Sequence, residues 1–265
     1  AIGAKYLSEI DKALVIDIGG TTTDLAIIDQ DRLKINEGGT IVGKYNTAVR
    51  AADVRSIGLG GDSLLSLNVE NRLTIGPQRV TPVAYLAQSA PQIKDYLERE
   101  LPARMRKRFS RDNFEFWFIQ NKPQRVITND RSREVVNLLE NGPLALTKIL
   151  DELQIFHPLQ FNGQELIRQG IIGRSSITPT DLLHVTGDFS PWDVESASIV
   201  VDWFARMASI EAEELAHRVR ELMAETITGE IISFITKIPF TRLPEYAPST
   251  ALGQWLVEES LYQKN

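Results

Sequence analysis

The chain has no cysteine and only three histidines and three methionines in 265 residues. Without cysteine there is no disulfide framework and no thiol chemistry, and nothing conflicts with a cytoplasmic home. The histidines, His157, His184 and His217, are scattered, with no His-x-x-x-His or carboxylate spacing that would suggest zinc. His184 sits in a half-apolar helical pattern and reads as a packed side chain. No Gly-x-Ser-x-Gly elbow occurs, which argues against a serine-hydrolase triad. No apolar run approaches the ~20 residues a membrane helix needs. The start, Ala1-Ile2-Gly3-Ala4-Lys5-Tyr6-Leu7, has neither an initiator Met nor a signal peptide's apolar centre, as expected of a fragment or a processed chain. Positive charge is short as well. Lys and Arg number 29 against 35 Asp and Glu, and the net charge of −6 argues against a general nucleic-acid or anionic-membrane binder. What is present is ordinary for a folded chain of one large or two modest domains: 43% apolar and 24% charged residues.

One stretch organises the rest. Asp17-Ile18-Gly19-Gly20-Thr21-Thr22-Thr23-Asp24 lies between the apolar runs Ala13–Ile16 and Leu25–Ile28, which read as the two strands of a hairpin. Gly19 and Gly20 let the chain turn sharply by reaching positive φ. Such a turn points successive N–H groups into one concavity suited to phosphate oxygens. Thr21, Thr22 and Thr23 add hydroxyl donors. Asp17 and Asp24 bracket the loop; carboxylates do not bind phosphate but hold Mg²⁺ and its waters. The plainer alternative is a tight glycine hairpin carrying surface threonines.

Residues 15–28 resemble the second phosphate motif of the actin-like ATPases (sugar kinases, heat-shock chaperones, actin). They are more similar still to the Asp-x-Gly-Gly-Thr-(Ser/Thr)-Thr-Asp loop of the hydantoinase/oxoprolinase family. Two further segments resemble that family: Ile57-Gly58-Leu59-Gly60-Gly61-Asp62-Ser63 and Leu73-Thr74-Ile75-Gly76-Pro77. A looser likeness covers Thr178-Pro179-Thr180-Asp181 and the residues to Gly187. The resemblance implies an α/β fold: an actin-like (ribonuclease H-like) ATPase lobe with a β-meander sheet flanked by helices, over residues 1–90 and 176–265. It further implies ATP-dependent opening of a cyclic amide such as a hydantoin or 5-oxoproline. Gly19, Gly20, Thr21, Thr22 and Thr23 would hold phosphates, Asp17 and Asp24 would position Mg²⁺, and Gly60, Gly61 and Asp62 would face the nucleotide. Gly58, Gly60 and Gly61 read equally well as close-packing glycines. The first phosphate loop of these proteins does not occur in the sequence, and the Gly-Gly loop that contacts adenosine is not found after Lys237. The chain therefore reads either as one lobe whose partner lobe or subunit lies elsewhere, or as a non-catalytic actin-like module binding nucleotide or a partner. Whether hydrolases or the family's carboxylases are nearer stays open.

The rest of the chain is expected to form a short helix over 1–12, strands at 32–35, 40–44 and 49–55, and a capped helical turn at Asp62 or Ser63. A hairpin joins 66–69 to 73–77, and a helix follows Pro82. Residues 91–175 match nothing familiar and read as a helical, winged-helix-like insert. The basic run Pro102–Arg111 reads as a solvated helix face. A winged-helix nucleic-acid reader fails on charge, and Glu165 interrupts Gln164 and Arg168 on its third helix. Beyond 176 the chain reads as helical, with caps at Ser190 and Ser209, a long helix over 210–237 and a short one over 249–262.

Overall fold

Runs rich in Val, Ile and Leu favour extended backbone, and the glycine-marked turn between the first two fixes their pairing. The computed structural model describes Gly3, Tyr6 and residues 12–29, 32–36, 40–42, 45–47, 51–123 and 126–236. The expected Gly38-Gly39 turn and the 249–262 helix fall outside these residues, as does nearly all of the 1–12 helix, of which Gly3 and Tyr6 are helical. The mixed α/β character expected from the sequence is observed. Two units divide the chain, residues 1–57 with 221–265, and residues 58–220.

In the first unit, β1 (Lys12–Ile18) and β2 (Thr23–Asp29) form an antiparallel hairpin in unbroken register, from Lys12 opposite Asp29 to Ile18 opposite Thr23. The other edge of β2 is shared. β3 (Arg32–Leu33) pairs with its end, and β8 (Val54–Ile57) with its beginning. Between these lie two small ladders, β4 (Ile35–Asn36) with β7 (Ala51–Ala52) and β5 (Thr40–Val42) with β6 (Tyr45–Thr47). Side chains alternate across a strand. One face of the sheet therefore carries buried Thr23 and Leu25, with Arg55 in register with Leu25. Arg55 reaches Glu230 at 2.7 Å and the Ser233 hydroxyl at 2.9 Å, tying that face to the helix formed by residues 221–236.

The second unit opens with a hairpin of β9 (Ser63–Leu67) and β10 (Leu73–Arg79). Next come α1 (Val83–Ser89), α2 (Pro91–Arg99) and α3 (Leu101–Lys107). β11 (Phe116–Ile119) then forms the centre of a three-stranded antiparallel sheet with β12 (Leu144–Ala145) and β13 (Ile172–Ser175). Packed on it are α4 (Asp130–Leu139), α5 (Leu146–Glu152) and α6 (Gly163–Arg168), whose apolar faces meet Trp117 and Phe161 in one core. The unit ends with α7 (Pro179–Thr186), α8 (Val194–Ala208) and the first part of α9 (Ala212–Thr236), which runs on into the first unit. Buried Val83, Leu97, Val200 and Phe204 form the core beneath α1, α2 and α8.

Three local expectations are corrected. Ser63–Leu67 is a strand, not a helical turn; the Ser63 hydroxyl accepts the Gly60 N–H at 2.9 Å, closing the glycine corner, and strand pairing with β10 outweighs any cap. The cap of α8 is Asp193, whose carboxylate accepts the Ser196 N–H at 2.7 Å, so Ser190-Pro191 belongs to the preceding turn. Ser209 ends α8 in the left-handed conformation (φ 59°) and does not start α9.

Candidate functional site

The Asp17–Asp24 segment is a four-residue turn, Gly19 to Thr22, between the paired ends of β1 and β2. It is closed by one bond, from the Gly19 N–H to the Thr22 carbonyl at 2.9 Å. Gly19 does not use the positive φ that its identity suggested. A β-carbon built there would meet the Thr22 carbonyl at an ordinary 3.4 Å, so packing within the chain does not demand glycine. What glycine supplies is open space beside the loop's amides. No hydrogen bond among the described residues engages the N–H groups of Gly20 or Thr21, and both residues are exposed. A loop with free, exposed amides and no side chain over them suits an anionic oxygen ligand.

Register brings the carboxylates together. Asp17 lies opposite Asp24, and Asp24 lies opposite Ser56 on β8, so all three side chains project from one face beside the turn. Thr22 donates its hydroxyl to the Asp24 carboxylate at 3.1 Å. Asp17 and Ser56 are exposed, Asp24 half-buried. Ser56 was not apparent in the sequence, since only the β2–β8 pairing sets it beside Asp24. Thr23 points to the opposite face and is wholly buried. Among the described residues no group of three or more His, Cys, Asp or Glu gathers. Mg²⁺ needs only one or two carboxylates when phosphate oxygens and water complete its shell. Asp17, Asp24 and the loop amides therefore fit magnesium-bound phosphate.

Gly60, Gly61 and Asp62 belong to the second unit and are tied within it. The Gly60 N–H meets Ser63, the Gly61 carbonyl accepts both the Thr180 N–H (3.0 Å) and hydroxyl (2.8 Å), and Asp62 is paired with Arg79 at 3.2 Å. Gly58 packs directly on Pro77, where an added β-carbon would sit 3.3 Å from the ring.

The Thr178–Asp181 segment braces this corner. Asp181 is wholly buried. It accepts the Thr178 N–H (2.9 Å) and hydroxyl (2.8 Å) at the start of α7, and the Ala84 N–H (2.8 Å) at the start of α1. One carboxylate thus caps two helices. Burial pushes its pKa up to about 6, against the opposing pull of donors from Ala84, Thr178 and Val83. His184, one turn on, is buried as expected: Nδ1 meets the Thr180 carbonyl at 2.8 Å, Nε2 receives the Trp192 N–H at 3.3 Å, and the ring stacks on Trp192.

The hydantoinase/oxoprolinase family model matches residues 1–90, the hairpin, the glycine corner and the β9–β10 hairpin together. No curated protein matches the chain. Among solved structures it is similar to the nucleotide-free structure of acetone carboxylase, an enzyme of ATP-dependent acetone carboxylation, with a TM-score of 0.52 at 16% identity. That likeness concerns the fold. It covers 89% of this chain, which spans only 24% of that one. No helix among the described residues is long and apolar enough to cross a membrane.

Proposed function

The chain is a hydantoinase/oxoprolinase-family protein by its first 90 residues, and on that premise we propose that it is the phosphate-holding lobe of an ATP-dependent hydrolase or carboxylase. The observation that carries this reading is the turn itself: unbonded amides at Gly20 and Thr21, beside carboxylates from two neighbouring strands. ATP, when bound, supplies the phosphoryl group that makes a carbonyl attackable. The chain's own part is positioning and charge compensation, as is usual in phosphoryl transfer. Gly20 and Thr21 donate backbone N–H groups to phosphate oxygens, and the Thr21 hydroxyl adds a donor. Asp17 and Asp24 hold Mg²⁺ directly or through water, and Thr22 fixes the Asp24 rotamer. In this reading the sheet belongs to an actin-like lobe over 1–90 and 176–265, with 91–175 as an insert of winged-helix type. Gly60, Gly61 and Asp62 are the further nucleotide-contact residues in this reading, each engaged within the second unit by Ser63, Thr180 and Arg79. The substrate is a cyclic amide, with a carboxylation substrate the alternative. A second lobe or subunit brings the other phosphate loop, a view supported by the quarter-length coverage of acetone carboxylase.

The test is calorimetric titration of Mg·ATP and Mg·ADP, with the ¹⁵N–¹H shifts of the Gly19, Gly20 and Thr21 amides followed in parallel. Asp17→Asn should weaken binding about tenfold, the loss of one charge-assisted contact of ~1.5 kcal/mol. Nucleotide that leaves those amide shifts unmoved at millimolar concentration refutes the reading. Binding with no catalysis, even beside the missing lobe, would favour the non-catalytic module.

A further inference from the structure

The basic run that reads as a plain solvated helix face in the sequence forms one wall of a groove. α3 supplies that wall, the C-terminal end of α5 and the residues after it supply the other, and the space between is about 720 Å³. This is within the range of small-molecule sites. Four cationic side chains line it, Arg99, Arg104, Lys107 and Arg108, against two carboxylates, Glu100 and Asp151. A local cationic excess on a chain of net charge −6 marks a place where an anion is favoured over the rest of the surface.

The charges are unequally committed. Arg104 is held by Asp151 at 2.8 Å, and Glu100 is taken by Lys148 at 3.0 Å. Arg99 and Arg108 have looser partners, Asp95 at 3.8 Å and Asp112 at 3.6 Å. Lys107 is exposed and has no ion pair among the described residues. The carbonyls at the end of α5 that could repel an anion are already used: Ile149, Leu150 and Asp151 accept the N–H groups of Leu153, Ile155 and Gln154.

The floor is apolar. Leu150 and Ile155 line it, and Phe156 stands at the rim with 88% of its surface exposed. Beneath it lies the buried Thr147 hydroxyl, beside Tyr96, which donates to the Asn113 carbonyl at 2.7 Å. A wholly hydrated ion would leave Phe156 and the floor unused, and a wholly apolar ligand would leave Lys107 unused. From these observations we propose that the groove between α3 and α5 binds a small organic anion with an apolar, ring-sized body, its carboxylate or phosphate held by Lys107 and Arg108 and its body laid against Phe156 and Ile155.

The whole chain is titrated calorimetrically with three probes of one shape: 1-naphthoate, 1-naphthyl phosphate and the neutral 1-naphthalenemethanol. Both anions should bind saturably and more tightly than the alcohol, and the tighter of them identifies the headgroup. Lys107→Glu should weaken both anions about fivefold, the effect of reversing one charge near a solvated site, and leave the alcohol unchanged. Phe156→Ala should weaken all three probes. Both residues are exposed, so unaltered circular dichroism is expected, and Asp17→Asn should change nothing because Asp17 is not among the residues that line the groove. The proposal is overturned if neither anion binds saturably at millimolar concentration. It is equally overturned if the anions bind wild type and both variants alike, or if the alcohol binds as tightly as they do.

Discussion

Replacing Asp181 by alanine should cost about 3 kcal/mol at neutral pH, and the cost should grow as the pH falls. The substitution leaves three donors without their acceptor: the backbone N–H groups of Ala84 and Thr178 and the Thr178 hydroxyl. At about 2 kcal/mol for each buried donor left unsatisfied the loss is about 6 kcal/mol. It is offset by removal of a buried charge. A carboxyl moved from its ordinary 3.8 to about 6 is disfavoured in its charged form by about 3 kcal/mol. The sign of the pH dependence follows from linkage. The raised folded-state pKa means that the native protein holds this proton more tightly than the unfolded chain. The stabilisation from the raised pKa is complete below 3.8 and is lost as the pH rises through about 6. Urea unfolding of wild type, Asp181→Ala and Asp181→Asn at pH 5 and pH 7 measures this. Wild type should lose about 1 kcal/mol relative to either variant between those two conditions. A cost below ~1 kcal/mol for alanine, or a wild-type-to-variant difference independent of pH, would refute the double-cap account.

Other perturbations separate packing from chemistry. Asp17→Asn removes a like charge directly opposite Asp24 and should raise the stability of the ligand-free chain by about 0.3 kcal/mol while weakening Mg·ATP binding, as thermal melting beside calorimetry would show. Gly163→Ala forces a β-carbon to 2.5 Å from the buried Trp117 ring and should cost ~1–3 kcal/mol, whereas Gly19→Ala should stay within ~0.5 kcal/mol by the same urea assay. Glu115 is buried and held by Arg174 at 2.9 Å, with Arg111 and the Trp117 N–H also on it; Glu115→Gln should cost about 3 kcal/mol. The two arginines and the Trp117 N–H hold the Glu115 pKa below its ordinary value against the opposing effect of burial, so its contribution should be present above the unfolded pKa and vanish as acid titrates it through the lower folded one.

Local pattern determined a good deal of this protein. The hairpin around Gly19-Gly20, the helix after Pro82, the strand at 116–119 and the helices at 130–139 and 179–186 all follow from short-range signals: apolar periodicity, turn residues and caps. Those signals erred where two local solutions were nearly equal, as at Ser63, Ser190 and Ser209. There a serine near a turn can cap a helix, close a corner or end the preceding helix, and the neighbouring packing chooses. The composition of the site was decided at long range. Ser56 joins Asp24 only through the β2–β8 register, across 32 residues, and Asp181 caps a helix that begins almost a hundred residues earlier. The same holds for the groove, whose cationic wall and aromatic rim come from segments about 50 residues apart. A sequence displays which residue types are present and the period at which they recur. It does not display which distant strand edge or helix end will take up an unpaired donor. That assignment is made by burial, which brings together whichever groups can satisfy one another away from water.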